Sequence, residues 1–125
     1  MKTLHTKQIA VLLKTLFQFE RCGKYEQALA EIEDIDKELN NSLSIEGFNE
    51  AEAAELILRY GSLIGFDGHL KQISNAQEKS KNLLTEARRR FIKLNNTKKL
   101  AECENYIALA YWRTGEIVEA ETWIN

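Results

Sequence analysis

The sequence contains no proline, although the chain is 125 residues long. Proline interrupts helices and is common in the turns of strand-rich proteins, so its absence favours a chain of uninterrupted helices. Residues with high helix propensity, namely Ala, Leu, Glu, Lys and Gln, are frequent throughout. We therefore predict an all-α protein.

Cysteine and histidine are scarce, with two residues of each kind. Cys22 and Cys103 lie far apart in the chain, and no second Cys or His stands at metal-ligand spacing from either. His5 and His69 have no neighbours that would complete a nucleophile–base set. The six glycines do not form a phosphate-binding pattern. We predict free thiols, no metal, no cofactor, no catalytic residues and hence no enzyme.

Long apolar runs are also absent. A transmembrane helix needs about 20 consecutive apolar residues, whereas Lys7 and Lys14 already interrupt the first helical pattern. No signal peptide is visible at the N-terminus. The prediction is a protein without a membrane segment, located in the cytoplasm.

Apolar residues recur at spacings of three and four in six segments, which indicates six amphipathic helices. Asn49 with Glu52 forms a capping box that would open the third helix, and Ser74 with Gln77 forms one that would open the fourth. The glycine-rich stretch 65–69 breaks the pattern between them. The predicted helices cover about residues 6–21, 25–39, 49–66, 74–94, 98–113 and 116 onward.

A motif near the C-terminus combines Ala108, Tyr111, Gly115, Ile117 and Ala120. A small residue allows two helices to approach closely, an aromatic residue fills the gap one turn later, and glycine ends the first helix. This spacing resembles the tetratricopeptide repeat, a helix–turn–helix unit of about 34 residues. The resemblance implies antiparallel helix pairs stacked as a short right-handed α-solenoid of about six helices.

The whole chain, 1–125, is predicted to form one repeat domain with units at about 6–40, 49–95 and 97–125. The middle unit fits only if 14 extra residues are allowed between Gly61 and Ala87. Those residues would extend the loop, the start of the fourth helix, or both. The last helix is still in phase where the sequence stops, which predicts an N-terminal segment of a longer protein. Its exposed terminal helix would invite a partner or a homodimer.

The resemblance implies a non-catalytic scaffold that binds a protein or peptide partner in a groove lined by the first helix of each pair. Trp and Arg are enriched among binding hot spots, although Trp112 could instead pack on the sixth helix and Arg113 could offset a helix dipole. Phe17, Arg21, Glu55 and Glu102 are further groove positions. The candidate partner-binding residues are Lys14, Arg59, Ser62, Asn105, Leu109, Trp112 and Arg113.

Charge is segregated along the chain. Residues 24–55 contain ten acidic and two basic residues, whereas residues 74–99 contain eight basic and two acidic residues. The basic segment is interpreted as a solvated face or as a partner of the acidic segment, within or between molecules. Binding of nucleic acid is not expected, because no aromatic residues interleave with the basic ones. The alternative functions are a regulatory or sensor domain that contacts a small ligand or nucleic acid through the fourth helix, and a self-associating structural repeat.

Overall fold

The computed structural model describes residues 6–38, 48–115 and 122–123. All regular secondary structure in these residues is helical, which confirms the all-α prediction. The helices with more than two residues are α1 (Thr6–Arg21), α2 (Tyr25–Glu38), α3 (Glu50–Lys71), α4 (Ala76–Lys93) and α5 (Thr97–Arg113). No helix among the described residues has the length and apolar character needed to cross a membrane.

Two glycines end helices as the sequence predicts. Gly23 follows α1 with φ of 73°, and Gly115 follows α5 with φ of 82°. Both values lie in the left-handed region, where a Cβ would be disfavoured. The amide of Gly115 donates to the carbonyl oxygen of Trp112 at 3.0 Å, which closes the last turn of α5.

Asparagine side chains cap two helices at their N-termini. Asn49 Oδ1 accepts from the amide of Glu52 at 2.8 Å, and Glu52 Oε1 accepts from the amide of Asn49 at 3.0 Å. This reciprocal pair confirms the predicted capping box of α3. Asn96 Oδ1 accepts from the amide of Lys99 at 3.1 Å and caps α5.

The predicted break at residues 65–69 is wrong, because α3 continues through it to Lys71. The capping box predicted at Ser74 is also wrong. Helix α4 begins at Ala76, and Asn75 before it has φ of 67° and makes no side-chain capping bond. The side chain of Gln77 instead donates to the carbonyl oxygen of Gly65 at 2.9 Å. Packing between the two helices therefore decides the boundary against local helix propensity.

Helices α3 and α4 occupy most of the segment between Gly61 and Ala87. Helix α3 runs ten residues beyond Gly61, whereas α5 runs five residues beyond Ala108. The connection between α3 and α4 is only residues 72–75. The 14 extra residues therefore lengthen the end of α3 and the start of α4 rather than form a long loop.

Glycines on one face of α3 allow α4 to approach closely. A Cβ on Gly61 would lie 3.0 Å from Leu84 Cγ, and a Cβ on Gly68 would collide with the Cβ of Ala76. The hydroxyl of Ser80 donates to the carbonyl oxygen of Gly61 at 2.7 Å. We call this contact between α3 and α4 the glycine seam.

Helix α3 lies at the centre of the fold and contacts all four other helices. Two apolar clusters meet on it. The first cluster joins α3 to α4 and α5 and contains Ala54, Ile57, Leu58, Leu84, Ala87, Phe91, Cys103 and Ile107. The second joins α3 to α1 and α2 and contains Ile9, Leu13, Leu16, Ala28, Ile32, Leu56 and Leu63.

The sixth predicted helix falls mainly on residues 116–121 and 124–125, which lie outside the described residues. Thr122 and Trp123 are helical. Trp123 packs against the first apolar cluster, and the guanidinium carbon of Arg88 lies 5.1 Å from the centre of its ring. The number of six helices and their stacking as a solenoid stay predictions.

Candidate binding face

Arg59 occupies the centre of a buried polar cluster where α1, α3 and α5 meet. Its side chain is 1% exposed. Arg59 Nη1 donates to Glu20 of α1 and lies 3.0 Å from Glu102 Oε2 of α5. A charge so completely removed from water is tolerated only when it is paired and hydrogen-bonded, so this contact joins the three helices at one point.

Glu20 is the acceptor around which the rest of the cluster is arranged. Besides the bond from Arg59, it accepts one from the hydroxyl of Ser62 and one from the hydroxyl of Tyr106, the latter at 3.1 Å. We call Glu20, Arg59, Ser62, Glu102 and Tyr106 the polar cluster. Three helices contribute to it, and Tyr106 reaches from α5 across α3 to α1.

The pKa shifts show that the cluster favours a charged arginine and a neutral tyrosine. Burial opposes the charge of Arg59, but Glu20 and Glu102 together outweigh burial and raise its pKa. Burial, with the charge of Glu20 next in importance, raises the pKa of Tyr106 above its usual value. Arg59 Nη2 has no hydrogen-bond partner within the described residues.

An open groove lies beside the polar cluster, between α1, α3 and α5. It encloses about 400 Å³. Phe17 of α1 is 39% exposed there, and its ring lies 5.0 Å from the guanidinium carbon of Arg59 and 5.7 Å from that of Arg21. The groove-lining residues are Ala10, Leu13, Lys14, Phe17, Glu52, Glu55 and Lys99.

The two walls of this groove differ in charge pairing. Lys99 Nζ of α5 lies 2.8 Å from Glu55 Oε1 and 3.5 Å from Glu102 Oε1, so this wall is an ion-pair network. Lys14 on α1 is exposed and makes no ion pair with any described residue. Within the part of the chain that the structure describes, the groove therefore offers a cation without an ion-pair partner next to an exposed aromatic ring.

The predicted partner-binding residues fall into separate places. Lys14 lines the groove, whereas Arg59 and Ser62 are buried in the polar cluster and are not exposed to a partner. On α5, Asn105 is exposed and Leu109 is half-buried. Trp112 is 58% exposed, and it does not line the groove.

Arg113 is engaged within the protein. Its guanidinium carbon lies 4.6 Å from the centre of the Phe66 ring, and its Nη1 donates to Gln77 Oε1 at 3.2 Å. Burial lowers the pKa of Arg113. Phe66 in turn stacks on Tyr25 at 5.1 Å and meets Tyr106 edge-on at 5.9 Å. Arg113 thus contributes to packing between α3, α4 and α5.

The basic triplet of α4 is paired with carboxylates on α4 and α5. Arg88 Nε donates to Glu104 at 3.2 Å, while Arg89 and Arg90 both donate to Glu86. The hydrogen bond from Arg89 is the main reason that the pKa of Glu86 falls to about 2. These pairs leave less free positive charge on α4 than the sequence suggests.

The cysteines do not form a site. Cys22 is exposed, Cys103 is buried, and both are free thiols. Burial raises the pKa of Cys103 to about 12, so its thiol is protonated at neutral pH. In residues 6–38, 48–115 and 122–123, no three His, Cys, Asp or Glu side chains converge in a way that would hold a metal ion.

Sequence reasoning missed Glu20 as the partner of Arg59, and Tyr106 as a further donor to Glu20. A signal for Glu20 was present, because it continues the stripe of Ile9, Leu13 and Leu16 at helical spacing. A carboxylate in line with buried residues indicates a buried polar contact. No comparable pattern pointed to Tyr106, whose partner lies 86 residues away.

Comparison with known proteins gives no relative: no protein-family model, curated protein or solved structure matches this chain. The tetratricopeptide resemblance therefore stays a prediction.

Proposed function

We propose that this protein is a non-catalytic scaffold that binds a peptide segment of a partner protein on the face formed by α1, α3 and α5. The observation that supports the proposal is an open groove lined by the exposed ring of Phe17 and by Lys14, a cation with no ion-pair partner among the described residues. Aromatic anchors next to charged groups are common in peptide-binding surfaces. The repeat resemblance, with its stacked helix pairs, would place the groove on the concave side.

The chemistry of the groove indicates what the peptide should carry. An apolar side chain would contact Phe17, whose other neighbours are the guanidinium groups of Arg21 and Arg59. A carboxylate next to it would pair with Lys14. The Glu55–Lys99 ion pair on the opposite wall already satisfies its own charges, so it would orient the peptide rather than attract it.

A peptide selection tests the proposal. A random library of 12-residue peptides is displayed and selected on the wild-type protein, and the selected peptides are synthesised and titrated against variants. Phe17→Ala and Lys14→Glu should each weaken binding by about tenfold or more, because each removes one half of the proposed contact. The peptides should be enriched in an apolar residue near an acidic one.

Two substitutions at exposed positions of α4 provide matched controls. Ile92→Ala removes a 46% exposed apolar side chain and Lys93→Glu reverses an exposed cation, and both lie outside the groove. Neither should change the affinity. Peptides that bind Phe17→Ala and Lys14→Glu as tightly as the wild type, while both variants show wild-type circular dichroism, would refute the proposal.

A further inference from the structure

A second cleft lies on α3 between α2 and α4. Both helices pack on α3, but their backbones do not approach each other within the described residues. The cleft encloses about 320 Å³, and apolar side chains from α2, α3 and the α3–α4 connection line it. These are Leu29, Tyr60, Ile64 and Ile73, of which Ile73 is 51% exposed.

The two walls of this cleft carry opposite charge. Among the described residues that line it, the charged ones are Glu33 on α2, Lys79 on α4 and Asp67 on α3, and Asp67 is already paired with Lys71 at 3.2 Å. Glu33 on the α2 wall and Lys79 on the α4 wall both line the cleft and are exposed. Neither forms an ion pair with a described residue, although Lys79 Nζ lies 5.7 Å from the centre of the Tyr60 ring.

Helices α2 and α4 run in the same direction. The start of α2 meets the end of α3, since Tyr25 stacks on Phe66 and Glu26 pairs with Lys71 at 2.8 Å. Helix α4 starts at that same end of α3, after the short connection 72–75. The acidic wall and the basic wall therefore extend along α3 side by side and parallel.

We propose that this cleft is a homodimer interface in which a second copy of the chain packs its own α2–α4 cleft against it. A two-fold axis that runs along the cleft, parallel to the helices, brings α2 of one copy over α4 of the other. Each copy then contributes Glu33 to one ion pair and Lys79 to the other. The apolar side chains of the two clefts meet between these pairs.

Charge complementarity selects this occupant and this axis. A partner of one sign would be attracted to one wall and repelled by the other, whereas a second copy presents both signs in the required order. A two-fold axis perpendicular to the helices would instead place α2 on α2 and α4 on α4, with like charges facing each other. This interface is independent of the groove between α1, α3 and α5.

Reversed charges in separate chains provide the test. Glu33→Lys and Lys79→Glu are expressed separately, and the mass in solution is measured by analytical ultracentrifugation over a concentration series. The wild type should dimerise, and either variant alone should dimerise about tenfold or more weakly, since each faces like charges at both pairs. An equimolar mixture of the two variants should form a heterodimer, because both ion pairs then carry opposite charges.

The mixture separates an intermolecular role from an intramolecular one. If Glu33 and Lys79 act only within their own chain, mixing the variants restores nothing. Glu31→Lys, a reversal at an exposed position of α2 outside the cleft, is the control and should leave the dimer unchanged. A monomeric wild type at all concentrations, or single variants that associate like the wild type, would overturn the proposal.

Discussion

Helix α3 is held by two different kinds of contact on its two sides. Towards α4, its glycines let the backbones approach closely, and the interface is filled by small and apolar side chains. Towards α1 and α5, the buried guanidinium of Arg59 is paired with Glu20 and Glu102. The contact with α4 depends on close backbone approach, whereas the contacts with α1 and α5 combine apolar packing with a buried ion-pair cluster.

The two sides of α3 differ in the space that they leave open. The glycine seam leaves no space between α3 and α4, because an added Cβ would collide there. The polar cluster fixes three helices at one point and leaves a groove open beside it. This groove exposes the side chains of Lys14 and Phe17, which lie on a helix that is itself packed against α3.

The largest effect is expected from Arg59→Met, which leaves Glu20 buried without a cation. Removing one partner of a buried ion pair costs about 3–5 kcal/mol of unfolding free energy. Urea denaturation at pH 7 measures the loss. The control is the double variant Glu20→Gln, Arg59→Met, which removes the unpaired buried carboxylate. This variant should recover more than half of the lost unfolding free energy. A loss below about 1 kcal/mol for Arg59→Met would show that the polar cluster does not hold α1 on α3.

Adding a single methyl group in the glycine seam should lower the unfolding free energy. Gly68→Ala places a Cβ against the Cβ of Ala76, where neither helix backbone can yield easily. Overpacking costs about 1–3 kcal/mol, partly offset by about 1 kcal/mol of helix propensity, so a net loss of up to about 2 kcal/mol is expected in the same urea assay. His69→Ala, at the next and exposed position, is the control. Stabilisation by Gly68→Ala would contradict the close approach.

A smaller effect with a distinctive pH dependence is expected from Tyr106→Phe. At pH 7 the variant lacks the hydrogen bond to Glu20, which should lower its unfolding free energy by about 1 kcal/mol. The folded-state pKa of Tyr106 is raised above its unfolded value of about 10, so the stability that its proton provides is present below pH ~10 and lost as the pH rises further.

The deficit of the phenylalanine variant should therefore shrink between pH 7 and pH 11. Unfolding free energies of the wild type and the variant at both pH values measure this change. Cys103 is common to both proteins, so its own ionisation cancels in the difference. An equal deficit at pH 7 and pH 11 would contradict the buried placement of the tyrosine hydroxyl.

The exposed ion pairs of α4 should contribute least to the unfolding free energy. Glu86 accepts from Arg89 and Arg90, but its side chain is 36% exposed and water screens the pair. Glu86→Gln should cost only about 0.5 kcal/mol at pH 7. Because its folded-state pKa is depressed to about 2, this contribution is present above pH ~4.5 and is lost as the pH falls towards 2. A loss comparable to that of Arg59→Met at pH 7 would remove the distinction between buried and exposed pairs.

Periodicity and capping chemistry were sufficient to predict the helices whose ends are set locally. The bounds of α1, the Asn49–Glu52 capping box and the glycine stops at 23 and 115 follow from neighbouring residues alone. The end of α3 could not be predicted in this way. Its glycines locally favour a break in the helix, yet they are helical because α4 packs against them. That contact between helices cannot be recognised from neighbouring residues.

The binding face could be predicted only in part for the same reason. Lys14, Phe17 and Glu55, which the sequence assigns to a groove, all line the groove between α1, α3 and α5. Arg59 and Ser62 are instead buried and donate to Glu20, which also accepts from Tyr106, so these contacts join three helices. The residues in those contacts lie too far apart in the sequence for a local pattern to predict them.

The central claim is that a peptide binds in the groove between α1, α3 and α5, beside the polar cluster. Amide chemical shifts test this claim most directly. A ¹⁵N-labelled wild-type protein is titrated with the tightest peptide from the selection. We expect the shift changes to centre on Lys14, Phe17, Glu55 and Lys99. Changes confined to α2 and α4, with none at these four residues, would contradict the claim.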